Sequence, residues 1–353
     1  MLSAVKYATI SLPRKPRLAP WIRFVDLGND RLQLRGTEFS YTLKHDLFIK
    51  ALESISPLLN GEHSVDEIAS SGGQTYLPTT ITFLLKMLRA NGLLQEGDVL
   101  PPDPLTPEDL SRHDNLVQFL SHYVSNPVGS LALLKGAKVA VVGSPSLKAC
   151  VQESLSGSGI DSSLELQHIL DKSQSNNDLS LDHSIKNLDY LIVCEETPDP
   201  KLCKRINSLC LKHGVRWARV ALEGTKAILG PTVIPHQSAC FVCYEKRIDS
   251  NISELEDHVA YRNHLESSET LQNEGIISPL NSVLAGQMAL ELVRLITGFA
   301  PPKTIGRFYE FSAVSPAVVG HEVLRLPRCP ACILPSPKKE AWDSTIFLSK
   351  EIS

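Results

Sequence analysis

Two cysteine pairs constrain this chain more than any other feature: Cys240-Phe-Val-Cys243 and, far downstream, Cys329-Pro-Ala-Cys332. A Cys-x-x-Cys turn lets two thiolates reach one ion at about 2.3 Å each, and a second such turn completes a tetrahedron. The spacing predicts a structural Zn2+ site built from Cys240, Cys243, Cys329 and Cys332. Four protein ligands leave no position for water, so the metal is expected to pin the chain and not to act as a Lewis acid. A redox pair is the alternative, but it would follow an early strand and would leave the second copy without a role. Cys150, Cys194, Cys203 and Cys210 show no paired spacing and read as small core or surface residues.

The 353 residues suit two domains. With 42% hydrophobic and 21% charged residues the chain is able to bury a core, and a net charge of -4 argues against general nucleic-acid binding. Lys6, Arg14, Lys15, Arg17, Arg23, Arg31 and Arg35 make the start basic, most simply a solvated surface. No apolar run approaches the roughly 18 residues of a membrane span, and the first residues lack the apolar core of a signal peptide. The expectation is a cytoplasmic protein with no membrane and no nucleic-acid partner, in a reducing compartment that suits zinc-held thiolates.

Residues 1–98 read as a winged helix-turn-helix domain. Residues 13–20 are a Pro- and Arg-rich extended lead-in; residues 21–26, 31–35 and 39–43 alternate polar and apolar side chains as a three-strand meander. Helices follow at residues 47–56, after the capping box Ser64-Val-Asp-Glu67, and at residues 77–90. In the last of these, Ile81, Leu84, Leu85 and Leu88 form the core stripe, while Phe83 and Met87 form a second, exposed-looking apolar line. DNA binding is the default use of such a module, yet this helix offers only Lys86 and Arg89 as cations. A groove between the helix and an unpaired strand edge suits an added peptide strand. Tyr41, Thr42, Leu43, Phe83 and Met87 are the candidate peptide-binding residues, with burial of Phe83 and Met87 in the core as the alternative.

Pro101, Pro102 and Pro104 mark a linker, and Thr106-Pro107-Glu108-Asp109 opens a helix that is expected to run to about residue 124. Residues 99–125 thus separate the first domain from an α/β, doubly wound domain at 126–335, and residues 336–353 read as a tail. Ala137-Lys-Val-Ala-Val-Val-Gly143 is a buried strand running into a turn and a helix, the layout of a first strand-turn-helix unit. Its glycine motif is broken: Gly143 stands, but Pro145 and Lys148 replace the second and third glycines, and proline deletes an amide donor. Further strands are expected at 162–167, 189–194, 215–221, 227–235, 304–311 and 321–326, with helices at 200–213 and 279–297. Glu195 and Glu196 end one strand, where an open sheet keeps its ligands; they could hold magnesium or be a solvated strand end. Residues 245–275 read as a long partner-facing segment. There is no Gly-x-Ser-x-Gly elbow and no His-Glu-x-x-His, and no catalytic residue is assigned.

Gly230-Pro-Thr-Val-Ile-Pro-His-Gln-Ser-Ala-Cys-Phe-Val-Cys243 resembles a stretch of ThiF-like proteins, relatives of the ubiquitin-activating enzymes. Leu324-Arg-Leu-Pro-Arg-Cys-Pro-Ala-Cys332 resembles the closing motif of the branch that serves thiazole/oxazole-modified peptide biosynthesis. Arg17-Leu-Ala-Pro-Trp-Ile-Arg-Phe-Val25, followed by the winged helix, resembles the leader-peptide recognition element of that branch. Over about residues 13–335 the resemblance implies that the first domain captures the leader of a ribosomally made, bacteriocin-type precursor. The ThiF-like domain would present it to a separate YcaO-family cyclodehydratase, which uses ATP to turn Cys, Ser or Thr into azolines. Relatives commonly pair, which implies a homodimer. Against the wider adenylating family, Pro145 and Lys148 replace glycines, Gln167 and His168 stand near the place of a ribose-binding Asp, and Glu196 takes the place of the magnesium Asp. These departures predict a non-catalytic subunit on which ATP is unlikely. The rival readings are an active ATP-dependent peptide-adenylating enzyme of the ThiF-like family and a winged-helix DNA-binding regulator.

Overall fold

Alternating polar and apolar residues in the first fifty positions fold into the antiparallel ladder that a period of two dictates. In the computed structural model, residues 7, 9–36, 39–72, 75–97, 105–124, 126–161, 184–267, 275 and 277–333 are described. The chain divides into two units, Met1–Gly136 with Ile296–Ala300, and Ala137–Leu295 with Pro301–Ser353.

In the first unit, strand β1 (Pro16–Leu18) precedes β2 (Arg23–Asp26), β3 (Leu32–Arg35) and β4 (Ser40–Leu43). The last three form an antiparallel sheet in the order β2-β3-β4, with Leu34 facing Phe24 on one side and Tyr41 on the other. Leu32, Leu34 and Leu43 point into the core, whereas Phe24 and Val25 of β2 are exposed. Asn29 and Asp30 turn β2 into β3 with positive φ, a conformation that short polar side chains tolerate.

Helix α1 (Asp46–Ile55), a tight turn at Ser56–Leu58, α2 (Val65–Gly72) and α3 (Pro78–Ala90) follow. The predicted capping box opens α2: the Ser64 amide donates to Glu67 at 2.7 Å and the Glu67 amide to the Ser64 hydroxyl at 3.3 Å. Ile81, Leu84, Leu85 and Leu88 of α3 are fully buried. Strand β5 (Leu94–Glu96) pairs antiparallel with β1, so the proline-rich lead-in is partly strand. Helices α4 (Pro107–Arg112), α5 (Asp114–Leu120) and α6 (Pro127–Gly136) complete the unit. The single helix expected from residue 106 breaks at His113, which ends α4 and caps α5.

The second unit opens with β6 (Val139–Gly143), α7 (Pro145–Gly157) and β7 (Tyr190–Glu195). The strand expected at 162–167, with Gln167 and His168, lies outside the described residues, as does the tail at 336–353. Helix α8 (Pro200–His213) leads to β8 (Arg216–Glu223) and β9 (Lys226–Val233), then to α9 (Phe241–Asp249), α10 (Leu255–Ser267), α11 (Ser278–Thr297), β10 (Arg307–Ser312) and β11 (Val318–Glu322). The six-stranded sheet runs β11-β10-β9-β8-β7-β6. Strands β6, β7 and β8 are parallel, and each later neighbour is antiparallel. Val139 to Val142 and Tyr190 to Glu195 are buried throughout, as strands covered on both faces must be.

Within the segment expected at 245–275, residues 245–249 and 255–267 are helical. Helix α9 continues to Asp249, whose carboxylate receives the forked guanidinium of Arg262 from α10 at 2.8 and 3.1 Å. The last strand also falls earlier than predicted, because residues 323–328 leave the ladder to approach the cysteines. No described helix is long and apolar enough to cross a membrane.

Gly143 carries a φ of 111°, and a Cβ there would lie 1.9 Å from the Cys194 carbonyl oxygen. Gly143→Ala is expected to remove about 2–4 kcal/mol of stability through backbone strain and overpacking. Urea unfolding of the two proteins measures this, and coincident midpoints would contradict it.

Candidate functional site

The two Cys-x-x-Cys turns come together in the second unit. Sγ atoms of Cys240 and Cys243 are 3.8 Å apart, those of Cys240 and Cys329 3.6 Å, and those of Cys243 and Cys332 3.6 Å. A tetrahedron with arms of about 2.3 Å has edges of about 3.8 Å, so the four sulfurs stand where zinc needs them. A disulfide would need about 2.05 Å. All four cysteines are buried and their sulfurs lie within 4.8 Å of one another, a cluster able to chelate a metal.

Local structure explains the fit. Cys240 stands just before α9, which carries Cys243 on its first turn. The Leu326 amide donates to the Cys243 sulfur at 3.4 Å, and Arg325 joins the two knuckles by donating to the carbonyls of His236 and Cys332 at 2.8 and 3.2 Å. Burial pushes the Cys240 thiol up. It opposes ionisation of Cys329 too, but amides of Ala331 and Cys332 overcome it and bring that thiol down to about 7. One ligand is thus held close to its metal-binding, deprotonated form.

The second candidate lies at the carboxyl end of β6 and β7. Gly143 lets the turn pass against β7, and the Ser144 amide donates to the Cys194 carbonyl at 2.8 Å. The Ser144 hydroxyl accepts from the Glu196 amide at 2.9 Å. The Glu196 carboxylate in turn accepts from the Leu147 amide, in the first turn of α7, at 2.8 Å. Asn281 of α11 donates to the same carboxylate oxygen at 3.3 Å and to the Ser146 hydroxyl at 3.0 Å. Pro145 occupies the first helical position, where an amide would have had no helical partner, so proline there preserves the helix start. Lys148 sits half-buried in the same turn.

Glu195 and Glu196 do not share one cation site. Glu195 is the last residue of β7, and Glu196 lies beyond the strand. Glu195, only 3% exposed, turns to Arg219 of β8, which is itself 4% exposed. Arg219 also reaches Glu223 at 2.5 Å and the Tyr244 hydroxyl at 3.1 Å. Burial raises the Tyr244 hydroxyl to about 12, so it stays protonated. Burial works against the Arg219 charge, but Glu195, Tyr244 and Glu223 outweigh it and keep the guanidinium ionised. A cavity of about 150 Å³ opens beside this cluster, with Glu245, Tyr261 and Arg262 also on its wall.

In the first unit, Tyr41, Thr42 and Phe83 are half-buried. Leu43 and Met87 are core residues at 4% and 6% exposure, so the second apolar line on α3 is not exposed as predicted. Phe83 is covered in turn: the Tyr7 ring packs edge-on against it at 5.7 Å, and Phe48 lies at 5.7 Å. Sequence reading missed Ser144, Arg219 and Asn281. The signal for the last two was a lone polar residue inside an apolar strand or helix stripe.

Residues 158–332 match the family model described as ThiF family. No curated protein matches the sequence. A solved heterocyclase in complex with substrate and cofactor is similar at 18% identity and a TM-score of 0.65, over 90% of this chain and 39% of that one. The heterocyclase TruD gives 18% and 0.64, over 91% and 43%. E. coli MccB with AMPCPP and selenomethionine MccA gives 15% and 0.60, over 90% of this chain and 99% of that one. The chain spans about two fifths of the length of the two heterocyclases and nearly all of MccB. It carries a ThiF-like domain fused to a small N-terminal strand-and-helix domain.

Two expectations are corrected by this finding. The sequence predicted a non-catalytic subunit and made ATP unlikely on this chain. The fold is instead that of MccB, also solved with ATP, along 90% of the chain. The substituted glycines were a poor guide, because Pro145 removes an amide only at the first helical position and leaves the helix start in place.

Cys240→Ser is expected to lose bound zinc and to lower the melting temperature by roughly 10 °C, since structural zinc binding is coupled to folding. Metal content by mass spectrometry and a thermal melt check this; retained zinc with unchanged melting would contradict it. Arg219→Leu is expected to cost about 3–5 kcal/mol by leaving Glu195 buried without its cation. Denaturant unfolding measures the loss, and a change below about 1 kcal/mol would fall within the range of a surface pair and contradict it.

Proposed function

We propose that the chain is an ATP-dependent peptide-adenylating enzyme of the ThiF-like kind. The observation that carries this reading is the fold shared along 90% of the chain with 99% of MccB, a protein solved with ATP and with MccA together with AMPCPP. Nucleotide would lie across the carboxyl ends of β6 and β7, with its phosphates at the start of α7, where amides and the helix dipole favour anions. Lys148 is the candidate cation for the phosphate charge. A carboxylate or amide oxygen of the peptide attacks the innermost phosphorus, a new P–O bond forms, and the bond to the bridging oxygen breaks. Pyrophosphate leaves with that oxygen.

The first domain, residues 1–98 in the winged helix-turn-helix reading, would hold the peptide as an added strand along β4. Tyr41, Thr42 and Phe83 would face the peptide, with Leu43 and Met87 supporting them from the core. The four-cysteine zinc site would keep α9 and the segment after β11 in place. A second reading is favoured by the TM-scores of 0.65 and 0.64 with the heterocyclases. In it the chain passes the leader of the same ribosomal peptide to a separate YcaO-family cyclodehydratase that forms azolines.

The test is exchange of labelled pyrophosphate into ATP by the purified chain, with and without the ribosomal peptide encoded beside its gene. Peptide-dependent exchange is expected. Its absence, with ATP consumed only when a cyclodehydratase is added, would favour the second reading.

A further inference from the structure

The anion seat at the start of α7 is filled by the chain itself. Glu196 accepts the Leu147 amide at 2.8 Å and Asn281 at 3.3 Å. Its own amide is fixed by Ser144 at 2.9 Å, so backbone and side chain are both held at the helix start. The carboxylate therefore engages a first-turn amide that an incoming phosphate would use, at the positive end of a 13-residue helix.

A second, independent observation marks the seat as more than a capped helix. Asn281 is 2% exposed, and its Oδ1 has no partner among the described residues although its Nδ2 serves both Glu196 and Ser146. A buried acceptor left open costs free energy, and it suits a ligand that brings a donor, such as a nucleotide hydroxyl or metal-bound water. Glu196 alone does not satisfy this amide, because a carboxylate offers no proton.

We propose that Glu196 is a built-in competitor for nucleotide phosphate: its carboxylate occupies the helix-start seat and must swing off the Leu147 amide before the phosphates settle there. This rests on the reading of the chain as an ATP-using enzyme. The gate follows from like charge, since a carboxylate and a phosphate cannot share one amide without repulsion, and from geometry, since Glu196 lies just past the strand end and is only partly buried. It also separates the two adjacent acids by task. Glu195 is locked to Arg219 in the core, and Glu196 is the movable one.

The test is calorimetric titration of ATP into the full-length wild type, Glu196→Gln and Glu196→Ala, each with Mg2+ and with EDTA. Both variants are expected to bind ATP about tenfold more tightly, with the larger gain in EDTA, where no cation offsets the repulsion. Glu196→Gln keeps the side-chain volume, so it decides the matter if the alanine variant fails to fold. Weaker binding by the variants in Mg2+ would show that the carboxylate holds the nucleotide's metal, and unchanged affinity that it holds nothing. Either result overturns the gate and leaves the ATP-using reading standing. No binding by any of the three proteins would overturn both.

Discussion

The close passage of Gly143 against the Cys194 carbonyl is the constraint on which the functional edge of the sheet depends. With φ at 111° and no Cβ, Gly143 lets the turn after β6 lie against the end of β7, and the Ser144 amide closes the junction at 2.8 Å. That contact starts α7 beside β7 and brings the Leu147 amide to the Glu196 carboxylate. A side chain at this position would separate the strand end from the helix start, and the anion seat between them would not form.

The cysteine cluster is linked to the same edge through α9. Cys240 and Cys243 fix the first turn of α9, and Tyr244, the next residue, presents its hydroxyl to Arg219, which in turn holds Glu195 at the end of β7. The cysteine cluster, α9, Arg219 and Glu195 thus form one continuous path through the core that also contains Trp217 and Phe241. A metal held there would be structural, because every position around it would be taken by a thiolate. Its effect would run through the placement of α9 and of the residues that wall the cavity beside Arg219.

The parts of this arrangement legible in sequence were those set by local pattern. Cysteine spacing announced the metal cluster, and continuous apolar runs announced β6 and β7 as strands buried on both faces. What pattern could not show was which way a residue faces once several elements converge. Met87 and Phe83 read as a spare line on α3, but Met87 is core and the rings of Tyr7 and Phe48 pack against Phe83, and periodicity on one helix carries no information about its neighbours. Glu195 and Glu196 read as a pair, although one ends β7 against Arg219 and the other, just past the strand, turns to the start of α7. The broken glycine motif misled for a related reason: a motif records residue types, whereas anion binding at a helix start depends on where the amides point, and Pro145 removes one first-turn amide while leaving those of Ser146 and Leu147. Helix α10 was hidden by polar composition and becomes intelligible only with Arg262 forked onto Asp249.

The most direct test of the central claim, that ATP is held at the carboxyl edge of β6 and β7, is hydrogen–deuterium exchange of the full chain with and without ATP and Mg2+. The account predicts slowed amide exchange confined to residues 143–148 and 194–199, with the zinc knuckles unchanged. Exchange that ATP leaves unaltered in both stretches, or protection that appears only in the first unit, would contradict it.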